Sequence, residues 1–203
     1  TAPVLYATLA EAGFYTKDET FTLRKFGSRL QGHPSRDFKL PGVETSAGSL
    51  GQGLGIAIGM ALYAKIDDMN YRTYCVMGDG ELQEGSVWEA AMAASNYRLD
   101  NLCAIIDRNK LQIDGSTENV MALEPLAEKW SSFGWNVVEI DGHDHNDIID
   151  AFAIARATIG QPTLVLANTV MGKGVKSIEN DNKWHGKVPS RDDLDKFLNE
   201  LYC

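Results

Sequence analysis

The sequence is short of cysteine, of long apolar runs and of basic charge, and each shortage removes a class of function. Its three cysteines, Cys75, Cys103 and Cys203, are odd in number and lack metal-ligand spacing. That argues for reduced thiols in a cytosolic protein rather than a disulfide framework or a zinc site. Cys75 and Cys103 lie within apolar runs and read as small core filler. No run approaches the ~18 apolar residues of a membrane-spanning helix, so no membrane role is expected. Lys and Arg number 19 against 28 Asp and Glu, a formal charge of −9, so the basic face that nonspecific nucleic-acid binding needs is missing. A small anion could bind only where a metal, helix N-termini or histidines supply local positive potential. There is no signal peptide, and the chain opens on Thr1-Ala2-Pro3 without methionine, which points to a missing N-terminal segment.

What is present reads as one α/β domain over residues 1–203, long enough for a real core. A helix is predicted over 3–12, stopped by Gly13. Thr16 and Glu19 have capping-box spacing and open a second short helix. Residues 27–53 show no periodicity and carry six glycines and two prolines. A loop of that length inside a compact domain is usually functional or disordered, and its sudden change into a smooth helix from Leu54 suggests a loop held against something. Strands follow at 72–77, 102–107, 135–140 and 163–169, alternating with helices at 84–98, 123–133 with Pro125 in its first turn, and 146–159. A polar loop, 171–189, leads to a last helix at 191–201 capped by Ser190. The runs at 74–77 and 103–106 are short, apolar and without alternation, as when both faces are covered. Their order predicts a mainly parallel sheet flanked by helices on both faces.

The chemistry concentrates at two strand ends. One apolar run stops at Gly78-Asp79-Gly80 and the next at Asp107-Arg108-Asn109, with Asn109 thirty positions after Asp79. Ligands of open parallel sheets bind beyond the carboxyl ends of the strands. If the two strands are close, a carboxylate and an amide oxygen meet there, a hard-oxygen pair suited to Mg²⁺ or Ca²⁺. Such a metal keeps places for phosphate oxygens, Gly80 allows close backbone approach, and the helix near Glu84 aims free N–H groups at the same region. Taken singly, each feature has a plainer reading: an Asx turn at Asp79 and a left-handed turn residue at Asn109.

The stretch GDGELQEGSVWEAAMAASNYRLDNLCAIIDRNKLQIDG resembles the thiamine diphosphate-binding motif, GDG followed about thirty residues later by N. In detail it resembles transketolases, as do LQGHPSRDFKLPGVETSAGSLGQGLGIAIGMAL and ANTVMGKGVKSIENDNKWHGKVP. The resemblance covers nearly the whole chain and implies the diphosphate-binding domain of that fold. By position it implies that Asp79, Asn109 and the Leu111 carbonyl bind Mg²⁺, or Ca²⁺ in its place. Gly80 and Asn109 would contact the diphosphate, and Gly48, Ser49 and Leu50 the aminopyrimidine end. His33 and His185 would act in catalysis, reaching the diphosphate and the reacting carbon. Glu84 and Glu89 would lie at a subunit interface.

Transketolase resemblance further implies transfer of a two-carbon ketol unit between a ketose phosphate and an aldose phosphate. The family's pyrimidine-binding domain does not follow within this chain, and two early histidines of the family would precede Thr1. The expectation is the N-terminal half of a split transketolase, active with a C-terminal partner half, as a homodimer or heterotetramer. The alternatives are another thiamine diphosphate enzyme, such as a deoxyxylulose phosphate synthase or a 2-oxoacid dehydrogenase subunit, or a non-catalytic interaction subunit. The remaining charged motifs read as structural: His143 and His145 as a strand-to-helix turn, Glu81 as helix-start charge, and Lys173 and Lys176 without phosphate-loop spacing.

Overall fold

The computed structural model describes residues 2–202, so the readings that fall on Thr1 and Cys203 lie outside the described residues. By internal packing these residues gather into two units, one running to Leu50 and one starting at Gly51.

In the first unit, α1 (Ala2–Glu11) gives way to Gly13, whose φ of +83° suits glycine. Its core is Ala2, Tyr6, Leu30 and Leu40. The Tyr6 hydroxyl donates to the Gln31 carbonyl at 2.9 Å, and the Tyr15 hydroxyl to the Tyr6 carbonyl at 2.6 Å, pinning the loop to the helix. The capping box at Thr16 does not form. That segment is a 3₁₀ turn, Lys17–Thr22, without a side-chain cap. Glu19 instead takes two bonds of 2.8 Å from Arg29 Nε and Nη2, a charge-assisted fork stronger than a reach back to a neutral N–H. The long loop carries one further 3₁₀ turn, Arg36–Phe38. It closes on itself through the Ala47 N–H, which donates to the Pro34 carbonyl at 3.0 Å, and the Arg36 N–H, which donates to Ser46 Oγ at 3.2 Å.

The second unit holds the sheet. Strands β1 (Thr73–Gly78), β2 (Leu102–Arg108), β5 (Asn136–Asp141) and β6 (Thr163–Asn168) pair in the order β1-β2-β6-β5, all parallel. Alternate residues of β2 and β6 explain why those two runs are apolar on both faces. Leu102, Ala104, Ile106, Leu164 and Leu166 face one core, covered by α2 (Gly53–Ile66), α3 (Gly85–Asn96) and α5 (Leu126–Ser132). Cys103, Val165 and Ala167 face the other, covered by α6 (His145–Ala157). On that second face β1 leaves Val76 71% exposed, whereas Tyr74 packs edge-on against Phe152. An aromatic group fastens α3, α5 and the start of β5. Trp130 is fully buried, its ring 4.9 Å from Trp135 and 5.6 Å from Trp88, and the Trp135 indole donates to the Ala91 carbonyl at 2.9 Å.

Element boundaries depart from expectation where side chains cap early or late. A 3₁₀ turn, Gly80–Gln83, precedes α3, so that helix starts at Gly85. Pro125 stands just before α5 rather than in its first turn, because Glu124 Oε2 accepts the Leu126 N–H at 2.8 Å. A short hairpin, β3 (Leu111–Gln112) with β4 (Gly115–Ser116), and the turn of helix α4 (Thr117–Val120) occupy a stretch expected to be loop. The last helix, α7 (Arg191–Tyr202), follows a reciprocal cap: Ser190 Oγ accepts the Asp193 N–H at 3.1 Å, and the Ser190 N–H donates to Asp193 Oδ2 at 3.0 Å. Among the described residues, no helix is long and apolar enough to cross a membrane.

Two thiols and one carboxylate report on this packing. Burial pushes the Cys75 thiol up to about 12 and the Cys103 thiol up to about 11, so little thiolate exists near neutrality. In a Cys203→Ser variant, a disulfide reagent at mildly alkaline pH should release colour only on unfolding; prompt reaction of the native chain would contradict this burial. In the first unit, the bonds from Arg29 hold the Glu19 carboxyl below its ordinary 4.5. A carboxylate depressed on folding adds stability above its unfolded value and loses it as pH falls through the folded one. Urea midpoints measured between neutral pH and about pH 3 should therefore fall less for Glu19→Gln than for the native chain.

Candidate functional site

Strands β1 and β2 are neighbours, and their register pairs Gly78 with Asp107. The ladder continues one step further, with the Asp79 N–H donating to the Asp107 carbonyl at 3.3 Å. The two mouths named from sequence therefore open side by side. Asp79 is only 1% exposed, and both its oxygens are engaged. Oδ1 accepts the Gly80 N–H at 2.8 Å, the local turn bond of the plainer reading. Oδ2 accepts the Lys110 N–H at 2.6 Å and Arg108 Nη1 at 2.9 Å. The turn reading and the reach across to the second strand end hold together.

Asn109 is half-buried, and its Oδ1 accepts the Leu111 N–H at 3.0 Å. The left-handed residue at this turn is Lys110, with φ +66°, rather than Asn109. That conformation directs the Lys110 N–H at Asp79 while the Lys110 carbonyl accepts the Thr117 N–H at 3.0 Å. Gly80 is crowded by the hairpin: a Cβ there would lie 3.1 Å from the Gln112 side chain. Asp79, Gly80, Asn109 and Leu111 are thus brought to one end of the sheet.

Sequence reasoning missed what surrounds Asp79. The Arg108 side chain is 2% exposed and gathers four partners. Nη1 donates to Asp79 Oδ2 and, at 2.8 Å, to Thr117 Oγ1; Nη2 donates to Glu118 Oε1 at 3.0 Å and Glu124 Oε1 at 2.7 Å. Burial pushes the Asp79 carboxyl up, while the Arg108 fork and the Lys110 and Gly80 N–H groups pull it down. The Arg108 guanidinium holds the Glu124 carboxyl below its usual range, helped by the Leu126 N–H. Three carboxylates around one guanidinium leave the cluster with net negative charge. The signal in the sequence was a charged residue ending an apolar strand, but its partners lie on both sides of it at irregular spacing.

Other named residues fall as follows. His33 is exposed and packs against Gly48, where an added Cβ would lie 2.7 Å from the imidazole Cγ. Ser49 and Leu50 are exposed beside it in sequence. In the second unit, the Gly51 N–H donates to Glu81 Oε1 at 2.9 Å and its carbonyl accepts Ser86 Oγ at 3.0 Å, so Glu81 anchors the approach to α2. Glu84 and Glu89 are exposed at and on α3. His185 is exposed and follows a 3₁₀ turn, Asn182–Trp184. Asn182 Nδ2 donates to the Ile113 carbonyl at 2.8 Å, tying the His185 loop to the hairpin that carries Leu111. His143 Nε2 accepts the Val170 N–H at 2.8 Å, joining the turn after β5 to that after β6. A cleft of about 530 Å³ lies there, lined by Asp141, His143, Asn168, Thr169 and Lys173 among others, apart from Asp79 and Asn109.

Comparison with known proteins agrees with this architecture. The family described as "Transketolase, thiamine diphosphate binding domain" matches residues 1–201. A solved transketolase from Leishmania mexicana superposes with a TM-score of 0.89 at 34% identity, over 97% of this chain and 31% of that one. The fold is the thiamine diphosphate-binding α/β fold, and the chain belongs to the transketolase N-terminal, thiamine diphosphate-binding family. One subunit of the apulose-4-phosphate transketolase of Phocaeicola vulgatus is 47% identical over 197 residues, 97% of this chain and 69% of that protein. The 6-deoxy-6-sulfo-D-fructose transketolase subunit SqwG of Clostridium sp. is 44% identical over 87% of this chain and 64% of its own length. Human transketolase is 42% identical over 99% of this chain, which spans 32% of it.

The contact of Gly48 with His33 is testable. Gly48 has φ +136°, so Gly48→Ala adds both backbone strain and a clash with the imidazole. It should cost about 1–3 kcal/mol of stability. It should also shift the His33 ring resonances while leaving those of His143 and His145 unmoved, as read by NMR.

Proposed function

We propose that this chain is the diphosphate-binding half of a two-subunit transketolase, which moves a two-carbon ketol unit from a ketose phosphate to an aldose phosphate. Support comes from family membership over nearly the whole chain and from relatives named as subunits, of which it covers about two thirds. The observation that carries the reading is the convergence of Asp79 and the Asn109–Leu111 turn at adjacent strand ends.

The residues present fit a divalent ion. Asp79, Asn109 Oδ1 and the Leu111 carbonyl are hard oxygens of the kind Mg²⁺ or Ca²⁺ takes. Asn109 Oδ1 accepts one N–H and keeps a lone pair. The Lys110 carbonyl pairs with Thr117, so in antiparallel geometry the next residue, Leu111, turns its N–H and carbonyl away from β4, towards Asn109. The negative excess around Arg108 favours a dication. Among the described residues no three His, Cys, Asp or Glu side chains form a metal group, so the set relies on one carboxylate, with phosphate oxygens completing it.

Bound thiamine diphosphate supplies the carbanion chemistry of ketol transfer, and the protein binds and polarises it. Asp79, Asn109 and Leu111 would hold the metal. Gly80, Asn109 and His185 would meet the diphosphate, and Gly48, Ser49 and Leu50 would present backbone groups to the aminopyrimidine end. His33 and His185 would donate hydrogen bonds where negative charge develops on the substrate. The pyrimidine-binding part would come from the partner half, in a homodimer or heterotetramer. The names of two relatives favour apulose 4-phosphate or 6-deoxy-6-sulfo-D-fructose as a second reading of the substrate.

In a coupled assay with xylulose 5-phosphate and ribose 5-phosphate, transfer should require both this chain and a C-terminal half. Full transfer by this chain alone would overturn the two-subunit reading. Parallel rates with apulose 4-phosphate and 6-deoxy-6-sulfo-fructose would sort the donors. In the reconstituted complex, Asp79→Ala should abolish Mg²⁺-dependent cofactor binding by calorimetry, and an unchanged affinity would remove Asp79 from the ligand set.

A further inference from the structure

A guanidinium 2.9 Å from a metal-binding carboxylate presents a paradox. By charge alone, Arg108 opposes a dication at Asp79, and its removal should tighten metal binding. The surroundings point the other way. Its second nitrogen faces Glu118 and Glu124, which offset that charge. Both of those carboxylates are themselves fixed by backbone: Glu118 Oε1 accepts the Leu123 N–H at 3.1 Å, and Glu124 Oε2 accepts the Leu126 N–H at 2.8 Å. Thr117 Oγ1 completes the cradle. One end of the fork therefore grips Asp79, and the other end is built into the chain from Thr117 to Leu126, with the arginine between them out of water.

We propose that Arg108 is a positioning residue for the metal end of the site: it locks the Asp79 carboxylate to the segment 117–124 in one orientation, and tight metal binding depends on that lock. This rests on the metal reading given above. Arg108 touches neither metal nor cofactor in this role. A lysine cannot replace it, because one ammonium cannot reproduce a planar fork that spans Asp79 and Thr117 on one nitrogen and two glutamates on the other.

The test is Mn²⁺ binding by the complex of this chain reconstituted with a C-terminal half, with thiamine diphosphate present, read from the electron paramagnetic resonance signal of free Mn²⁺. Arg108→Lys, Arg108→Gln and the double variant Arg108→Gln/Glu118→Gln are compared with the native chain and Asp79→Ala. The double variant keeps the net charge of the cluster and relieves the uncompensated carboxylate that could unfold the single one. Each Arg108 variant should lose about 10–100-fold in Mn²⁺ affinity, the usual loss when support of a metal ligand is removed, with lysine giving little rescue. If Asp79→Ala abolishes binding but Arg108→Gln or the double variant binds Mn²⁺ as tightly as the native chain or more so, the lock is wrong and the metal reading stands. Unchanged binding in Asp79→Ala would sink the metal reading and this proposal together. An arginine with only a structural role would lower the thermal midpoint and leave the Mn²⁺ affinity of the folded fraction unmoved.

Discussion

One buried guanidinium organises the carboxyl end of this sheet. Arg108 ends β2, and through it Asp79, the residue just past β1, is tied to the turn of helix α4 and to Glu124 ahead of α5. Removing one partner from a buried ion pair commonly costs about 3–5 kcal/mol, because the remaining charge has no water to replace it. The cost is contained here by distributing the charge over three carboxylates and a hydroxyl. Desolvation also makes the arrangement specific: a side chain that must satisfy four partners at once has few rotamers open to it.

The rest of the fold delivers Arg108 and Asp79 to the same place. Parallel pairing of β1 with β2 sets their ends level, and two-sided burial fixes the register, since a slip of one residue would exchange Ile106 and Cys103 between cores. The tryptophan group under α3 and α5 holds the helix that follows Glu124 against the one that follows Asp79.

Much of this was legible in the sequence. The four sheet strands lay within a residue or two of expectation because largely apolar runs bounded by glycine and charge admit few alternatives. The pairing of Asp79 with the Asn109 turn could be anticipated from their positions at successive strand ends. The hairpin could not: β3 and β4 have two residues each, too few for any period to register. The Arg108 partners lie 9, 10, 16 and 29 positions away, a set without rhythm that only tertiary folding brings together. Thr16 and Glu19 carried the right spacing for a capping box, yet a long-range partner, Arg29, competed for the glutamate and won. Local signals failed where a charged side chain found a better partner across the fold.

The bond from Asn182 to the Ile113 carbonyl has a mechanical corollary. Upstream, the loop after β6 is fastened to α7 by the Ser177 N–H on Glu200, and Asn182 fastens it again only three residues before His185. Chain length from Asn182 to His185 is effectively fixed, because a residue inserted there would have to be absorbed by swinging the imidazole. Beyond His185, length can vary up to the cap at Ser190 without that penalty. Natural or engineered diversity in this loop should therefore accumulate on its far side, with the histidine marking the border.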